Sequence, residues 1–384
     1  MTRVPSLCIT LTSPLALNAF LLGHIRRLRS SWDVTVCVNV NECDVAVNLE
    51  GNAKLYPVEI RREVAPVSDL VATAKLWNFY RTRKFQAVVT VTPKGGLLGM
   101  MAAWLARIPV RIHWYTGQVW ATKTGLSRAA LKLLDRLTAM CATHVLADSA
   151  SQRNFLVKEG IMRSGKISVL GCGSISGVDT DRFCPDAQAR QRIRVELQIS
   201  DDALCLLYMG RMKKEKGVPD LLDAFRQLRK EFVNLHLLLV GPDEEGLLTD
   251  SAMDGLQVVG YTKKGDAYMA AADIICLPSY REGFGSVIIE GAACGLPAVA
   301  SRIYGVTDAV VENVTGLLHP AGDIASLTDA LRLLASDERL RKELGNNAYE
   351  RAVADFNADH VEELFERFLR EQSRLSLLHR NARK

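Results

Sequence analysis

The feature that most limits what this chain can fold into is a regular alternation. Short runs that are apolar on both faces recur between longer segments of helical period along all 384 residues. In the first half the runs fall at 7–12, 33–40, 54–60, 87–92, 110–116, 144–148 and 167–170. In the second half they fall at 203–209, 235–240, 257–259, 274–277 and 298–300. Helix-period stretches at 15–29, 97–107 and 126–140 separate runs of the first set, and helical patterns open near Pro219, Asp266, Ser286 and Ser326 in the second. A strand with no polar face must be covered on both sides. Strand–helix alternation supplies that cover, as crossover helices over a parallel sheet.

The alternation stops between 171 and 199, where Gly, Ser, Asp, Pro and Gln replace the apolar runs. The sequence therefore predicts an α/β protein of two doubly wound, Rossmann-like domains, residues 1–175 and 176–362. An amphipathic helix and basic tail at 363–384 follow, expected to pack back on the first domain. Doubly wound sheets bind ligands beyond the carboxyl ends of their strands. Two of them facing each other predict a small-molecule site in the cleft.

Composition narrows the class. Hydrophobic residues make up 48% and charged residues 24%, the profile of a soluble globular protein. No apolar run reaches membrane-spanning length, ~18 residues, and the run at 7–11 is too short for a signal-peptide core. The nine cysteines are odd in number and contain no Cys-x-x-Cys pair. Cys8, Cys37, Cys205 and Cys276 lie in apolar runs, as reduced core thiols do. These features predict a cytoplasmic protein. The net charge of +5 hides an asymmetry: residues 1–175 carry 22 Lys+Arg against 10 Asp+Glu, while the remainder is acidic. One half is thus set up to face an anionic partner.

The chemistry is concentrated in Pro-Ser-Tyr-Arg-Glu-Gly-Phe-Gly-Ser-Val-Ile-Ile-Glu, residues 278–290. An apolar strand ends at Leu277, Gly283 and Gly285 make a turn, and a helix opens at Ser286. Glycines there let a diphosphate approach backbone N–H groups at the positive end of a helix. Glu282 precedes the turn and Glu290 lies inside the helix, so a bound phosphate would have a carboxylate on each side. A second cluster, Met-Gly-Arg-Met-Lys-Lys-Glu-Lys-Gly at 209–217, follows an apolar strand. Its Arg211 and Lys216 are placed to stabilise charge on a departing nucleotide, Arg as a bidentate donor and Lys as a point charge.

With these residues the chain resembles the GT4-type retaining glycosyltransferases of the GT-B fold, over nearly its whole length. The resemblance rests on Glu282 and Glu290 as Glu-x7-Glu, Gly210-Arg211 with Lys216-Gly217, and Gly177-Val178-Asp179. The segments at 92–99 and 147–149 are similar to members that build bacterial surface polysaccharides such as O-antigen and capsule. The resemblance implies that Arg211 and Lys216 hold the donor diphosphate. It implies that Glu282, with the backbone of Gly283, Phe284 and Gly285, meets the transferred sugar, and that Ser286 also belongs to the donor site. Glu290 would take the ribose and Gly241 and Tyr261 the base. His113 matches a histidine beside the reacting sugar. The loop at 12–18 lacks the glycines of many relatives, leaving Ser13 and the helix start near Leu15 to approach phosphate.

Two motifs are set aside. Asp179-Thr-Asp181 has the form of a metal-holding Asp-x-Asp but falls in the domain junction, where a turn and cap explain it. Gly171-x-Gly173-x-x-x-Gly177 has the wrong spacing for a dinucleotide fingerprint. The expectation is no metal and no NAD. The substrates implied are a nucleotide-sugar donor and a glycan or lipid-diphosphate-linked acceptor. The basic residues Arg26, Arg27, Arg29, Arg81, Arg83, Lys84, Lys123, Arg128, Lys132 and Arg136 intersperse with Trp77, Phe79, Tyr80, Trp114 and Trp120. They predict peripheral docking on an anionic membrane, and no nucleic-acid reader motif is present. The alternatives are a nucleotide-sugar epimerase of the same architecture and a non-catalytic nucleotide-sugar-binding protein.

Overall fold

The structure is a computed structural model that describes residues 4–40, 49, 51–61, 63, 65–248 and 253–381, apart from the side chains at 377 and 379–381. It divides into two compact units, Met1–Ser176 with Asp359–Lys384, and Gly177–Ala358.

Unit 1 contains strands β1 (Ser6–Thr10), β2 (Asp33–Val38), β3 (Lys54–Pro57), β4 (Ala87–Val91), β5 (Val110–Tyr115), β6 (His144–Ala147) and β7 (Ile167–Val169). They form one sheet in the order β3-β2-β1-β4-β5-β6-β7, every pair parallel. Its helices are α1 (Pro14–Phe20), α2 (Leu22–Leu28), α3 (Pro66–Arg83), α4 (Pro93–Leu105), α5 (Gly125–Cys141) and α6 (Ala150–Lys158). The pleat sorts successive residues of β1 into two cores. Leu7 and Ile9 pack with Leu17 and Ile25 from α1 and α2. Cys8, on the other face, packs with Leu76, Met100, Ala139 and Leu156 from α3 to α6. The stretch at 15–29 reads as one helix but is two, broken at Leu21, whose φ of −123° leaves the helical region.

Unit 2 contains β8 (Leu204–Met209), β9 (Leu235–Val240), β10 (Leu256–Val259), β11 (Ile274–Leu277), β12 (Ala298–Ser301) and β13 (Gly316–His319). These are again all parallel, in the order β10-β9-β8-β11-β12-β13. Its helices are α7 (Ala187–Glu196), α8 (Val218–Leu228), α9 (Gly265–Ala271), α10 (Ser286–Ala293), α11 (Val306–Ala309), α12 (Ile324–Ser336) and α13 (Glu338–Asp355). The sequence reading lacks β13, because four residues within Thr-Gly-Leu-Leu-His-Pro give no periodicity to detect.

The last helix, α14 (Ala358–Asn381), returns the chain to unit 1. Phe365 and Leu369 enter the core beside α1 and α2. Glu366 accepts from Arg27 Nε at 3.2 Å and from Ser31 Oγ at 2.8 Å. The basic run predicted at 379–384 lies, in its side chains, outside the described residues.

Four of the five aromatic residues expected at the surface belong to the core instead, and only Trp77 stays partly exposed. Trp114 and Trp120 are buried, and the Trp120 indole donates to Asp135 Oδ2 at 2.7 Å. Phe79 and Tyr80 are buried as well. A large ring within an apolar helix or strand gains more from burial than exposure allows, and the neighbouring cations do not change that.

Candidate active site

In unit 2 the strand order reverses between β8 and β11, neighbours reached by crossovers that run in opposite directions. Such a switch point opens a crevice beyond the carboxyl ends of the two strands. The loop after β8 carries Arg211 and Lys216, and the loop after β11 carries Glu282 to Gly285.

Backbone contact locks these loops together. Gly217 has φ of +70°, and a Cβ there would lie 2.0 Å from the Pro278 carbonyl oxygen. Only glycine permits both that conformation and that approach. The Tyr280 N–H donates to the Glu215 carbonyl at 3.0 Å, and Arg281 Nη2 reaches both Glu215 oxygens at 3.1 Å. As a result the Lys216 ammonium sits 2.7 Å from Glu282 Oε1. The same oxygen accepts from Ser279 Oγ at 2.8 Å. Both side chains of the ion pair are largely withdrawn from solvent.

Arg211 stands more open. Its carbonyl accepts from the Tyr208 hydroxyl at 2.8 Å, and its guanidinium is 3.6 Å from Glu244, which also binds Lys213 at 2.6 Å. Burial, with the Glu282 charge adding to it, pushes the Tyr208 pKa up and keeps its hydroxyl a donor.

Gly285, with φ of +85°, is the residue before α10, and Ser286 is its first residue. Phe284 is buried with its ring edge-on to Phe356 at 5.4 Å, so the turn is anchored to the core. The first N–H groups of α10 have no partner within the helix and form a positive end suited to an anion. Glu290 lies one turn into α10. Burial raises its pKa to about 7, the Arg182 charge only partly offsetting this. Gly241 directly follows β9, its N–H bonded to the Val259 carbonyl at 2.9 Å. Tyr261 follows β10 and is exposed. All the residues predicted for unit 2 thus lie on loops or helix starts at the carboxyl edge of its sheet. Sequence reasoning missed Ser279, Tyr208 and the Glu215–Arg281 pair. Only the position of Ser279, three residues before Glu282 in the same loop, offered a signal.

Unit 1 holds the other two. His113 is the fourth residue of β5, and only 1% of it is exposed. Its Nδ1 hydrogen-bonds the Thr90 hydroxyl at 2.8 Å. Gly96 of α4 lies over the ring, where a Cβ would come 2.2 Å from His113 Cε1. Burial lowers the His113 pKa to about 3, the Thr90 contact only partly offsetting it, so the imidazole is neutral. Ser13 caps α1, accepting from the Leu15 N–H at 3.2 Å. The Asp179 carboxylate accepts from the N–H groups of Asp181 and Arg182 at 3.2 and 3.1 Å, the turn-and-cap role expected of it.

Comparison with known proteins agrees with this fold. Residues 17–173 match the family described as Glycosyl transferase 4-like domain, and residues 189–351 match Glycosyl transferases group 1. The chain is 27% identical to the capsular polysaccharide biosynthesis glycosyltransferase CapM of Staphylococcus aureus, over 83% of this chain and 87% of CapM. It is 24% identical to an Escherichia coli UDP-Gal:alpha-D-GlcNAc-diphosphoundecaprenol alpha-1,3-galactosyltransferase, over 79% of this chain and 81% of that one. Among solved structures, Anabaena HepE in complex with UDP superposes with a TM-score of 0.79 at 18% identity, covering 96% of this chain and all of HepE. With two matching domain models and two Rossmann-like units, the chain belongs to the glycosyltransferases of the GT-B fold, with a GT4-like first domain and a group 1 second domain.

Proposed function

We propose that this glycosyltransferase moves a hexose-type sugar from a nucleoside diphosphate donor, with retention of configuration, to a glycan or lipid-diphosphate-linked acceptor in cell-surface polysaccharide synthesis. The observation that carries the reading is the Lys216–Glu282 contact of 2.7 Å beside the glycine-lined start of α10. The contact supports the reading because a cation suited to a diphosphate and a carboxylate suited to sugar hydroxyls lie side by side. The UDP in the HepE complex and the UDP-Gal in the E. coli relative's name make uridine the first base to try.

In this mechanism the diphosphate lies at the start of α10, with Lys216 and Arg211 on its oxygens. As the sugar–phosphate bond breaks, negative charge grows on the leaving nucleotide, and these two cations stabilise it where it forms. No metal is assigned to that task. Glu282 orients the sugar, held by Ser279 and Lys216 through one oxygen while the other is turned to the substrate. Glu290 accepts from the ribose, and Gly241 and Tyr261 flank the base. His113 contributes a neutral imidazole, and Ser13 fixes the helix start after β1. The acceptor hydroxyl attacks on the face that the nucleotide leaves, and the donor phosphate takes its proton. A lipid-linked acceptor would set the enzyme at the inner face of the cell membrane as a peripheral protein.

The test is a thermal-unfolding series with uridine, guanosine and adenosine diphosphates and their sugars, since a ligand at 100 times its Kd stabilises by ~2.7 kcal/mol. One base class should raise the midpoint. Product analysis by NMR should then give the donor's own anomeric configuration. Inversion would refute retention, and interconversion of the donor without acceptor would identify an epimerase.

A further inference from the structure

Two helices of unit 1 end on residues that strain the backbone. Lys84 closes α3 with φ of +56°, and Arg107, just past α4, has the same φ. Helices commonly place glycine in this left-handed conformation, because a Cβ disfavours it. Here both positions carry a long cation instead. Attraction to the helix dipole accounts for one basic residue near each end. The end of α3 has three, Arg81, Arg83 and Lys84. Arg81 and Arg83 lie over the rings of Trp77 and Phe79, at 5.6 and 5.9 Å, so aromatic faces rather than carboxylates hold them.

These four cations line one cavity of about 610 Å³, a volume common for small-molecule sites. Ser6 opens β1, Gln86 directly precedes β4 and Pro109 directly precedes β5, and all three line it. The cavity therefore lies at the amino edge of the sheet, opposite to Ser13, and contains none of the residues assigned to the donor. Helix α14 adds Ser373 and Ser376. Among the described residues that line it there is no Asp or Glu. Ser373 is 6% exposed and its hydroxyl has no hydrogen-bond partner. Inside a helix such a group is usually satisfied by the carbonyl four residues back. Thr138 and Thr328 do this, reaching Leu134 and Ile324 at 3.0 and 2.7 Å, and Ser373 does not. A buried hydroxyl left unpaired destabilises the fold, and a ligand oxygen in the cavity would satisfy it.

We propose that this cavity binds a small soluble polyphosphate, a compact anion carrying two or more adjacent phosphoryl groups, at a site separate from the donor site. Arg81, Arg83 and Arg107 offer planar forks for phosphoryl oxygens and Lys84 a point charge. Ser373 donates to an oxygen seated against α14. Four cations without an acid favour several charges on one small body over the single charge of a phosphodiester headgroup. The ligand would join the ends of α3 and α4 to α14 and stabilise unit 1 by mass action.

The experiment is calorimetric titration of inorganic tripolyphosphate, diphosphate and phosphate into the intact protein at constant ionic strength. Tripolyphosphate should bind best and phosphate worst. Lys84→Gly/Arg107→Gly should weaken tripolyphosphate at this site by about tenfold or more. The same variant relieves two left-handed side chains, so its melting midpoint without ligand should hold or rise. Ser373→Ala should weaken binding by about three- to tenfold. Its midpoint should also hold or rise, since alanine favours a helix and leaves no hydroxyl unpaired. The difference between wild type and these variants reads the cavity whether or not tripolyphosphate also enters the donor site, so a failure of the donor reading leaves it intact. Absence of binding, equal affinity for the three anions, or undiminished affinity in Lys84→Gly/Arg107→Gly overturns the proposal. Displacement of tripolyphosphate by phosphatidylglycerol vesicles does so too, by assigning the cavity to a lipid headgroup.

Discussion

Lys216 and Glu282, separated by 66 positions in sequence, meet at 2.7 Å across the switch point of the second sheet. Their contact depends on the backbone approach of Gly217 to Pro278. In water such a pair would contribute little, but here it is largely buried and Ser279 holds the same carboxylate oxygen.

Removal of either partner should therefore do more than delete one charge. Lys216→Ala and Glu282→Gln are each expected to lower kcat/KM by ~10²–10³, the range for loss of one preorganised group. The double variant should lose less than the product of the two, because neither single variant leaves the other residue correctly held. A double-mutant cycle on donor turnover measures this, and full additivity would show that the two act separately.

Glu290 predicts a pH dependence of stability. Its folded pKa of about 7 lies above the ordinary value of 4.5, so the folded state holds a proton that the unfolded chain has released. The relative stabilisation is complete below the unfolded value and is lost as pH rises through the folded one. Urea midpoints should fall between pH 5 and pH 8. Glu290→Gln should remove that part of the fall, about 1–3 kcal/mol, less than the full shift because the residue retains some exposure. Parallel pH profiles for the two proteins would contradict the assignment.

His113 should not titrate in the working range. Burial holds its pKa near 3, so its NMR ring signals should stay those of neutral imidazole from pH 5 to pH 8. Any acid limb of the rate profile in that interval must come from another group. A His113 midpoint near 6 would mean that the ring is far more solvated than its place beneath Gly96 allows.

The legible part of this molecule was what periodicity and glycine spacing encode. Strands apolar on both faces encode the parallel sheets, and the glycine turn between Leu277 and Ser286 marks the loop proposed to meet the donor. Single-residue geometry and local runs too short for periodicity were hidden. The break at Leu21 and the four-residue strand β13 fall in that class. Ser279 and Tyr208 were missed because their partners are set by packing of separate loops. The aromatic residues misled for a related reason. Trp114 and Trp120 sit among cations in sequence, yet the sheet and α5 enclose them. Leu126, Leu133 and Met140 form a helical stripe that reads like an ordinary core-facing one, yet all three are exposed.

The most direct measurement is calorimetric titration of UDP and its sugars into the wild type, Lys216→Ala and Arg211→Ala. The account predicts binding to the wild type and a loss of tenfold or more in each variant, about 1.4 kcal/mol at the least. Unchanged affinity in both variants would contradict it, since the diphosphate would then be held by something other than the two cations after β8.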